Sequence, residues 1–478
     1  MPNVAIIGGG IAGLACAHRL RELSAHPERS EGSALEFKIF ESGPRLGGPI
    51  ETEKRDGFLL EKGADSFISE KPAALRLCER LGISSTVINT EENNRRIFIV
   101  KDGRLVSLPE GFYLVAPGKV RSFLASPLFS WPGKVRMLLE PWAPPKYSAD
   151  EETVAAFLRR RFGTEALARV GQPMLAGIYT GDAERLSMNA VMPWFLELEK
   201  KYGSVTRGLR KNLKDKKRDW DAVRGPRYSL FLSLNEGMGA LIRALVSKLP
   251  PESVFLNCRI KNISYDHEKK VWVLLDEKGT RHTADAVCAA VPPRAAGDFL
   301  NIHNQLNINE LYHFEYESLA AIHLAYKKEQ FRRPLSGFGF ISPRLEKNPL
   351  IACTFSSQKF KNRAPEGFEL LRAFVGGAFG KNFYEKEDAD LMGLVGENLS
   401  ALLGIKGRPV FSALHRHPRS MVQYTLGHRS RVEKIREEAR RFPRLFFAGS
   451  AYDGVGIPDC VKSGETAAEE IFEGETYA

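Results

Sequence analysis

The chain is short of cysteine and of long apolar runs, and each shortage excludes a class of protein. Its 478 residues contain six cysteines, scattered without Cys-x-x-Cys or Cys/His spacing. We therefore predict neither a disulfide framework nor a zinc site, and expect a reducing compartment. No apolar stretch approaches the ~18 to 20 residues of a spanning helix, and a strand pattern begins directly at the N-terminus. Secretion and membrane spanning are not expected, whereas peripheral membrane contact stays open.

The composition also lacks the bias of a disordered or fibrous chain. Hydrophobic residues make up 43% and charged residues 27%, with 42 Gly and 27 Pro, all near the averages of soluble globular proteins. At ~100 to 200 residues per domain, the length predicts two to four domains or subdomains. The chain is expected to fold around sizeable cores.

Acidic residues are the minority. The chain has 69 Lys+Arg against 58 Asp+Glu, a formal net charge of +11. Such a balance permits a nucleic acid, an acidic membrane or an anionic small molecule as partner. Residues 200–227 alone hold eleven basic residues and three acids, so they carry eight units of the excess. Aromatic residues are widely spaced there and no nucleic-acid-binding motif accompanies them, so we expect a solvated loop and no nucleic-acid partner.

The N-terminus carries a nucleotide-binding pattern. The apolar residues 4–7 read as a buried parallel strand, and Gly8, Gly10 and Gly13 follow in G-x-G-x-x-G spacing before a helical pattern. The first glycine permits a tight turn, the second lets the backbone approach a pyrophosphate, and the third lets helix and strand pack closely. The helix N-terminus then offers free N–H groups to phosphates.

A second strand, residues 35–40, ends in an acid, Glu41, placed to accept hydrogen bonds from a ribose. Its spacing from the glycines exceeds the usual ~20 residues, and the polar residues 25–33 account for the excess as an inserted loop. An acid here favours FAD or NAD. Arg45, Gly47 and Gly48 follow it in an E-x(3)-R-x-G-G element, which resembles the one in two-domain FAD oxidases of the amine oxidase type. That resemblance favours FAD.

The C-terminus repeats the strand, glycine and helix order. Residues 444–449 form a strand pattern ending in glycine, 452–460 a glycine-rich loop, and 461–472 a helix pattern. A helix N-terminus aimed at the flavin ring would stabilise the negative charge of its reduced form. We therefore expect this segment to return to the cofactor.

Over nearly the whole chain the sequence is similar to the flavin-dependent porphyrinogen oxidases of haem synthesis. The segments that carry the resemblance are 63–67, 175–182 with 186–187, 337–341, 355–357 with 363–367, 423–428 and 454–460. The resemblance implies six-electron oxidation of protoporphyrinogen IX to protoporphyrin IX, with three O2 reduced to H2O2. Coproporphyrinogen III is the alternative substrate, and another FAD-dependent amine oxidase or desaturase is the more distant alternative. From the cysteine pattern and the lack of spanning segments we expect a cytoplasmic location, with peripheral contact to the cytoplasmic membrane left open, and a homodimer also stays open.

The patterns and the resemblance together assign noncovalently bound FAD to one set of residues. They are Gly8, Gly9, Gly10, Ile11, Ala12, Gly13, Glu41, Ser42, Arg45, Gly47, Gly48, Pro49, Gly63, Ala64, Asp65, Ser66, Ile260, Ser450, Val455, Gly456 and Ile457. No catalytic group beyond the flavin and no metal is predicted, because a flavin performs hydride abstraction by itself. Asp182 is interpreted as a turn residue and His428 as structural.

The resemblance assigns substrate binding to Arg96, Gly177, Ile341, Thr354 and Phe374. A guanidinium such as that of Arg96 suits a propionate bidentately, and the adjacent Arg95 leaves the register open by one residue. Phe374 matches a ring-stacking aromatic, for which a core role is the alternative. Ile341 and Thr354 match a pair of aliphatic residues that enclose another ring of the substrate. Thr354 differs from this pattern because its side chain carries a hydroxyl.

The predicted fold is α/β, with a discontinuous Rossmann-like FAD-binding domain, a mixed-sheet substrate domain and a helical lobe of membrane-binding type. The FAD-binding pieces are 1–85, 230–297 and 410–478, the substrate-domain pieces are 86–109, 171–229 and 298–409, and the helical lobe is 110–170. For this lobe, where aromatic and basic residues interleave, a soluble cap is the alternative.

Overall fold

The structure, a computed structural model, describes residues 3–25, 35–92, 95–113, 115–117, 119–146, 150–211, 229–300 and 308–476. The loop predicted at residues 25–33 lies almost wholly outside the described residues. So do residues 212–228, the larger part of the basic segment.

A parallel sheet forms the centre of the nucleotide-binding half. The apolar strand Asn3–Ile7 is nearly inaccessible because it pairs on both edges, as a run of β-branched residues predicts. In the described chain the sheet has five strands, all parallel, in the order Val254–Phe255, Glu36–Phe40, Asn3–Ile7, Ala286–Ala289 and Leu445–Phe447.

Both faces of this parallel sheet are covered. On one face a continuous apolar core joins it to the helices Ile11–Ser24, Ala73–Arg80, Gly239–Val246 and Ile457–Thr476. On the other face lie the antiparallel strands Ile260–Asp266, Val271–Asp276 and Arg281–Ala284, with the helices Pro293–Leu300 and His428–Ala439. The α/β class and the Rossmann-like arrangement are confirmed.

Residues 254–263, which include several β-branched residues, form two strands and not one. Asn257 adopts a left-handed conformation with φ of 49° and turns the chain between the strands Val254–Phe255 and Ile260–Asp266. Its N–H donates to the carbonyl of Gly43 at 3.0 Å. The two halves therefore enter different sheets.

A larger mixed sheet forms the second half of the molecule. Within the described residues its seven strands run in the order Phe411–Gln423, Glu315–Lys327, Phe368–Gly376, Ala352–Phe355, Gly339–Ile341, Ile97–Lys101 and Arg104–Ser107. All neighbours are antiparallel except Gly339–Ile341 with Ile97–Lys101. The helix Asp388–Leu403 packs its apolar face on the sheet. The mixed sheet confirms the predicted class.

One boundary of the predicted domain division needs correction. The division places residues 410–478 in the FAD-binding unit, whereas the strand Phe411–Gln423 pairs antiparallel along Glu315–Lys327 in the large sheet. The pattern of this strand gives no indication of its partner, since the two strands lie about ninety residues apart in sequence. The chain returns to the nucleotide-binding half only with the helix His428–Ala439.

Residues 110–170, predicted as the helical lobe, form a helical cluster, and helices from residues 172–202, which the predicted division places in the substrate domain, share its core. The helices are Val120–Ala125, Trp131–Leu138, Val154–Phe162, Thr164–Ala166, Gln172–Tyr179, Met188–Val191 and Pro193–Tyr202, with a π-helical turn Leu167–Gly171. At its centre the fully buried Arg161 donates from Nε to fully buried Glu140 at 2.8 Å. Among the helices that the structure describes, none is long and apolar enough to cross a membrane.

Short elements complete the fold. Thr52–Arg55 pairs with Phe58–Glu61, Phe231–Leu234 lies between Phe67–Ile68 and Val87–Asn89, and Phe112–Tyr113 pairs with Ala116–Pro117. The short helices Ser356–Lys359 and Lys381–Tyr384 follow strands of the large sheet.

Candidate functional site

The glycine turn has the geometry that the motif predicts. Gly8 has φ of 107° and donates from its N–H to the carbonyl of Phe40 at 2.8 Å. A Cβ at Gly13 would lie 2.0 Å from the carbonyl oxygen of Gly8, so only glycine lets the helix approach the strand. At Gly10 no described atom lies within 4 Å of such a Cβ. The turn is tight at Gly8 and Gly13 and open at Gly10, where a phosphate would approach.

The Glu41 carboxylate is tied to this turn. One oxygen accepts from the N–H of Gly9 at 2.8 Å and the other from the N–H of Gly43 at 2.7 Å, beside Ser42. The oxygen that accepts from Gly43 also accepts from the Ser42 hydroxyl at 3.3 Å, whereas the oxygen that accepts from Gly9 retains a further lone pair, to which a ribose hydroxyl can still donate. The carboxylate is held in place by the backbone before any ligand arrives.

Arg45 shapes the following turn. Its guanidinium donates to the carbonyl of Gly48 at 2.7 Å and pairs with Glu51 at 2.8 Å. Gly47 and Gly48 both have positive φ, and a Cβ on Gly48 would lie 3.4 Å from the Cα of Gly10. The glycine pair, followed by Pro49, therefore lies against the open position of the first turn, and Arg45 fixes its shape.

The segment from Gly63 to Ser66 joins the two halves of the molecule. The Asp65 carboxylate pairs with Lys359 at 2.9 Å and accepts from the Ser66 hydroxyl at 2.7 Å. Burial alone would raise the pKa of Asp65, but the cations of Lys359 and Arg372 hold that pKa well below its ordinary value. Gly63 and Ala64 are thus anchored by a carboxylate that stays ionised.

The C-terminal segment brings a second helix N-terminus to the cofactor side. The helix Ile457–Thr476 begins after Ser450, Val455 and Gly456. A Cβ on Gly464 would lie 2.0 Å from the carbonyl oxygen of Ala12, and Arg19 pairs with Glu469 at 2.8 Å, so this helix runs close and parallel to Ile11–Ser24. Both N-termini consequently point the same way and attract negative charge.

These residues fit an extended dinucleotide. No described atom occupies the space where Gly10 or Gly449 would carry a Cβ, and two helix N-termini and the Glu41 carboxylate flank such positions. Ile11 and Ala12 open the first helix. Ile260 is buried in the core beneath the other face of the parallel sheet. Whether each predicted residue contacts the cofactor stays a prediction.

Three of the five predicted substrate residues, Ile341, Thr354 and Phe374, lie on one face of the large sheet. Ile341, Ala352 and Phe374 form one cross-strand row, and Gly339, Thr354 and Arg372 form the next. Since side chains alternate along a strand, Ile341, Thr354 and Phe374 share this face. A Cβ on Gly177 would lie 3.8 Å from Ile341, so the helix Gln172–Tyr179 borders the same surface. We call it the substrate face.

Arg372, which reasoning from the sequence missed, lies on the substrate face and is buried. Its guanidinium lies 4.7 Å from the ring centre of Phe374 and donates to the carbonyls of Lys62 and Gly63. It therefore connects the substrate face to the predicted FAD-binding segment. The sequence pattern that could have identified Arg372 is a basic residue two positions before Phe374, and therefore on the same face of a largely apolar strand.

The two candidate arginines have different surroundings. Arg95 pairs with Glu92 at 3.4 Å. Arg96 is exposed and forms no ion pair with any residue that the structure describes, and its carbonyl accepts from the N–H of Phe338 at 2.8 Å. It stands where the strand Ile97–Lys101 begins beside Gly339–Ile341. Of the two arginines, Arg96 is the one whose guanidinium is not paired with a carboxylate of the described residues, so it can bind an anionic group.

A cluster of rings links the helix Gln172–Tyr179 to the C-terminal loop. Tyr424 donates to the carbonyl of Ser450, stacks on His428 at 3.9 Å between ring centres and lies 5.9 Å from Tyr179. Burial lowers the pKa of His428 to about 4, so its ring is neutral near pH 7. The structural role predicted for His428 stays a prediction.

A cavity of about 260 Å³ opens beside the substrate face. The residues of its wall include Ala176 next to Gly177, Ser342 next to Ile341, and the basic residues Arg344 and Lys347. Arg344 lies over the ring of Phe379 at 4.5 Å. The cavity thus presents cations at the border of the candidate substrate site.

Comparison with known proteins gives one family and a consistent set of relatives. The family model described as flavin containing amine oxidoreductase matches residues 11–472. The chain is 30% identical over 471 residues to "Coproporphyrinogen III oxidase" of Bacillus subtilis (strain 168), covering 98% of both chains. It is 27% identical over 498 residues to "Protoporphyrinogen oxidase, mitochondrial" of Nicotiana tabacum, covering 98% of this chain and 94% of that one. The crystal structure of "Putative protoporphyrinogen oxidase from Exiguobacterium sp. 255-15" superimposes with a TM-score of 0.85 at 28% identity, covering 99% of each chain.

Proposed function

This chain belongs to the flavin-containing amine oxidoreductase family, and on that premise we propose that it oxidises a porphyrinogen to the corresponding porphyrin. It is an oxidoreductase with FAD as cofactor. The observation that carries the proposal is the substrate face, where Gly177, Ile341, Thr354 and Phe374 meet opposite the segment that holds Gly63. Relatives named for porphyrinogen oxidation match nearly the full length of the chain.

The residues of the substrate face suit a large ring with acidic arms. Half-buried Ile341 and Phe374 offer an apolar surface to a macrocycle, and Gly177 leaves room above it. The guanidinium of Arg372 against the ring of Phe374 fixes the orientation of that ring. Arg96 is free to bind a propionate bidentately. The bound flavin would supply hydride acceptance, which needs no metal or nucleophile from the protein.

We propose coproporphyrinogen III as the preferred substrate. Three relatives at 27 to 30% identity carry that name, and the substrate has four carboxylates to satisfy. Arg344 and Lys347 in the adjoining cavity add cations to that of Arg96. Protoporphyrinogen IX, expected first from the sequence, is the second candidate, because plant relatives named for it match at 26 to 28% identity.

The substrate choice is tested by turnover of the purified holoenzyme with each porphyrinogen, followed by growth of the porphyrin Soret band. We expect kcat/KM to be higher for coproporphyrinogen III, and a higher value for protoporphyrinogen IX would reverse the assignment. Turnover of neither substrate would contradict porphyrinogen oxidation altogether. Arg96→Ala should raise KM by ~10- to 100-fold, the value of one or two charged hydrogen bonds. Arg95→Ala, which loses an exposed pair, is the matched control.

We propose O2 as the electron acceptor. Conversion of a porphyrinogen to a porphyrin removes six hydrogens, so three O2 would yield three H2O2 per porphyrin. Simultaneous measurement of O2 consumed, H2O2 formed and porphyrin formed tests this ratio. Porphyrin formation without O2 uptake would contradict the proposal.

We also propose that the protein works in the cytoplasm with its helical lobe in peripheral contact with a membrane. Trp131, Val135, Leu139 and Trp142 are 50 to 72% exposed within one short stretch of the lobe. Amphipathic aromatic side chains favour the membrane interface. In flotation with anionic liposomes, Trp142→Ser should bind less than the wild type. The control, Leu345→Ser, removes an apolar side chain that is 58% exposed, against 72% for Trp142, from the large-sheet half. Equal flotation of wild type and Trp142→Ser would contradict the contact.

A further inference from the structure

A group of three metal-ligating side chains lies outside the candidate substrate and cofactor sites. The side chains are those of Cys258, Asp276 and His282, and their ligand atoms all lie within 4.8 Å of one another. They come from the loop before the strand Ile260–Asp266, the end of Val271–Asp276 and the start of Arg281–Ala284. Only the pairing of these strands brings them together. We propose that these three residues form a zinc site.

Two of the three distances between ligand atoms agree with the edges of a zinc tetrahedron, and the third, from Sγ of Cys258 to Nε2 of His282, is within 4.8 Å. Nε2 of His282 lies 3.3 Å and Sγ of Cys258 lies 3.6 Å from the same oxygen, Oδ2 of Asp276. With Zn–N and Zn–O bonds of ~2.0 to 2.1 Å and a Zn–S bond of ~2.3 Å, tetrahedral angles give N···O edges of ~3.3 Å and S···O edges of ~3.5 Å. A small shift of Sγ and Nε2 around a central ion completes the three-ligand arrangement, and water takes the fourth position.

The chemical types of these ligands favour zinc over Mg²⁺ and Ca²⁺. A thiolate and an imidazole are the soft and borderline donors that favour Zn²⁺, whereas Mg²⁺ and Ca²⁺ require oxygen ligands throughout. Zinc binding requires the Cys258 thiol to release its proton to solvent, because the thiolate is the ligand. Burial and the Asp276 carboxylate raise the pKa of this thiol to about 11, so without a cation it stays protonated.

The ligands are already oriented. Oδ1 of Asp276 accepts from the N–H groups of Thr280 at 2.8 Å and Lys278 at 2.9 Å, which leaves Oδ2 for an ion. The ring of His282 packs beside that of Phe40, 4.8 Å between centres. Fixed outer contacts of this kind hold ligands in position and strengthen metal binding.

The site adjoins the backbone that carries the predicted ribose acid. The N–H of Cys258 donates to the carbonyl of Glu41 at 2.9 Å, and Phe40, which contacts His282, directly precedes Glu41. A bound ion would therefore tie the hairpin that carries Asp276 to the strand end that presents Glu41. Zinc is expected to stabilise the FAD-loaded protein thermally and to slow the loss of FAD.

The test uses the FAD-loaded full-length protein, freed of metal with a chelator and titrated with Zn²⁺ against a chromophoric competitor. We expect about one zinc per chain. Co²⁺ as a substitute should give a thiolate charge-transfer band and the intense d–d bands of a tetrahedral site in difference spectra. Cys258→Ala and His282→Gln should each weaken zinc binding by at least ~10- to 100-fold, the loss that even an outer partner of a ligand causes.

Matched controls separate this site from adventitious binding. Cys78→Ala removes a buried thiol from the helix Ala73–Arg80, and His267→Gln removes an exposed imidazole beside Tyr265 on the neighbouring hairpin. Both should bind zinc like the wild type, and the unchanged flavin spectrum of each variant verifies its fold. Absence of stoichiometric zinc in the wild type, or equal affinity in Cys258→Ala and His282→Gln, would overturn the proposal.

Discussion

Gly10 separates the requirements of the fold from those of the cofactor, and Gly10→Ala is the sharpest perturbation of the nucleotide site. Its φ of −72° and ψ of 179° suit alanine, and no described atom lies within 4 Å of the added methyl. The protein itself should accommodate the change. Gly13→Ala differs, because its methyl would lie 2.0 Å from the carbonyl oxygen of Gly8.

The expected magnitudes follow from these distances. Gly10 is the N-cap of the helix Ile11–Ser24 and makes no side-chain cap bond, so alanine should change the free energy of unfolding by no more than ~1 kcal/mol. A methyl in the phosphate path displaces the pyrophosphate from about two charge-assisted hydrogen bonds of ~1.5 to 3 kcal/mol each. FAD affinity should therefore fall ~10²- to ~10⁴-fold. Gly13→Ala should cost the fold itself ~1 to 3 kcal/mol or more through overpacking.

The assay combines urea unfolding of the flavin-free protein with FAD titration followed by quenching of flavin fluorescence. Gly393→Ala is the matched control: its methyl also meets open space, but in the exposed face of the remote helix Asp388–Leu403. It should leave FAD affinity unchanged. Wild-type FAD affinity in Gly10→Ala would refute the reasoning, because the pyrophosphate would then not pass this position.

Three further predictions concern stability. Burial raises the pKa of Glu61 to about 7, so the folded state holds a proton that the unfolded state releases near pH 4.5. The free energy of unfolding should therefore fall by up to ~3 kcal/mol as the pH rises through 7. Urea unfolding of Glu61→Gln between pH 5 and 8 should lack this fall. Arg161→Met leaves Glu140 charged and buried and should lower the free energy of unfolding by ~3 to 5 kcal/mol, against at most ~1 kcal/mol for the exposed Arg159→Met, measured by urea unfolding. Gly464→Ala places a methyl 2.0 Å from a carbonyl of the first helix and should lower both Tm and FAD retention in thermal melts followed by flavin release, whereas retention equal to that of the wild type would contradict the close helix contact.

Local patterns in the sequence were sufficient to predict the first strand, the glycine turn and the position of Glu41. The apolar run before Gly8 predicts a central parallel strand, and the spacing of Gly8, Gly10 and Gly13 predicts the turn observed. Both are properties of consecutive residues, because steric limits on φ and the alternation of side chains act over a few positions. The place of Glu41 at a strand end follows from the same short-range logic.

The sequence did not predict which distant segments of the chain contact each other. The strand Phe411–Gln423 joins the large sheet through a partner about ninety residues earlier, and Arg372 acquires its contacts from Lys62 and Gly63 of another segment. The predicted substrate residues were individually identified by resemblance, but their common face depends on strand register. Register shifted by one residue would turn Phe374 to the opposite face.

The sequence by itself determined the α/β class, the glycine turn, the position of Glu41 at a strand end and the family to which the chain is similar, because these depend on residue identity at short spacing. Only the tertiary structure decided which side chains meet. It placed Arg372 between the substrate face and the cofactor segment, and it assembled Cys258, Asp276 and His282 although their spacing matches no metal motif. The physical reason is that contact across a sheet depends on register and chain reversal, which arise when all strands bury their apolar surfaces together.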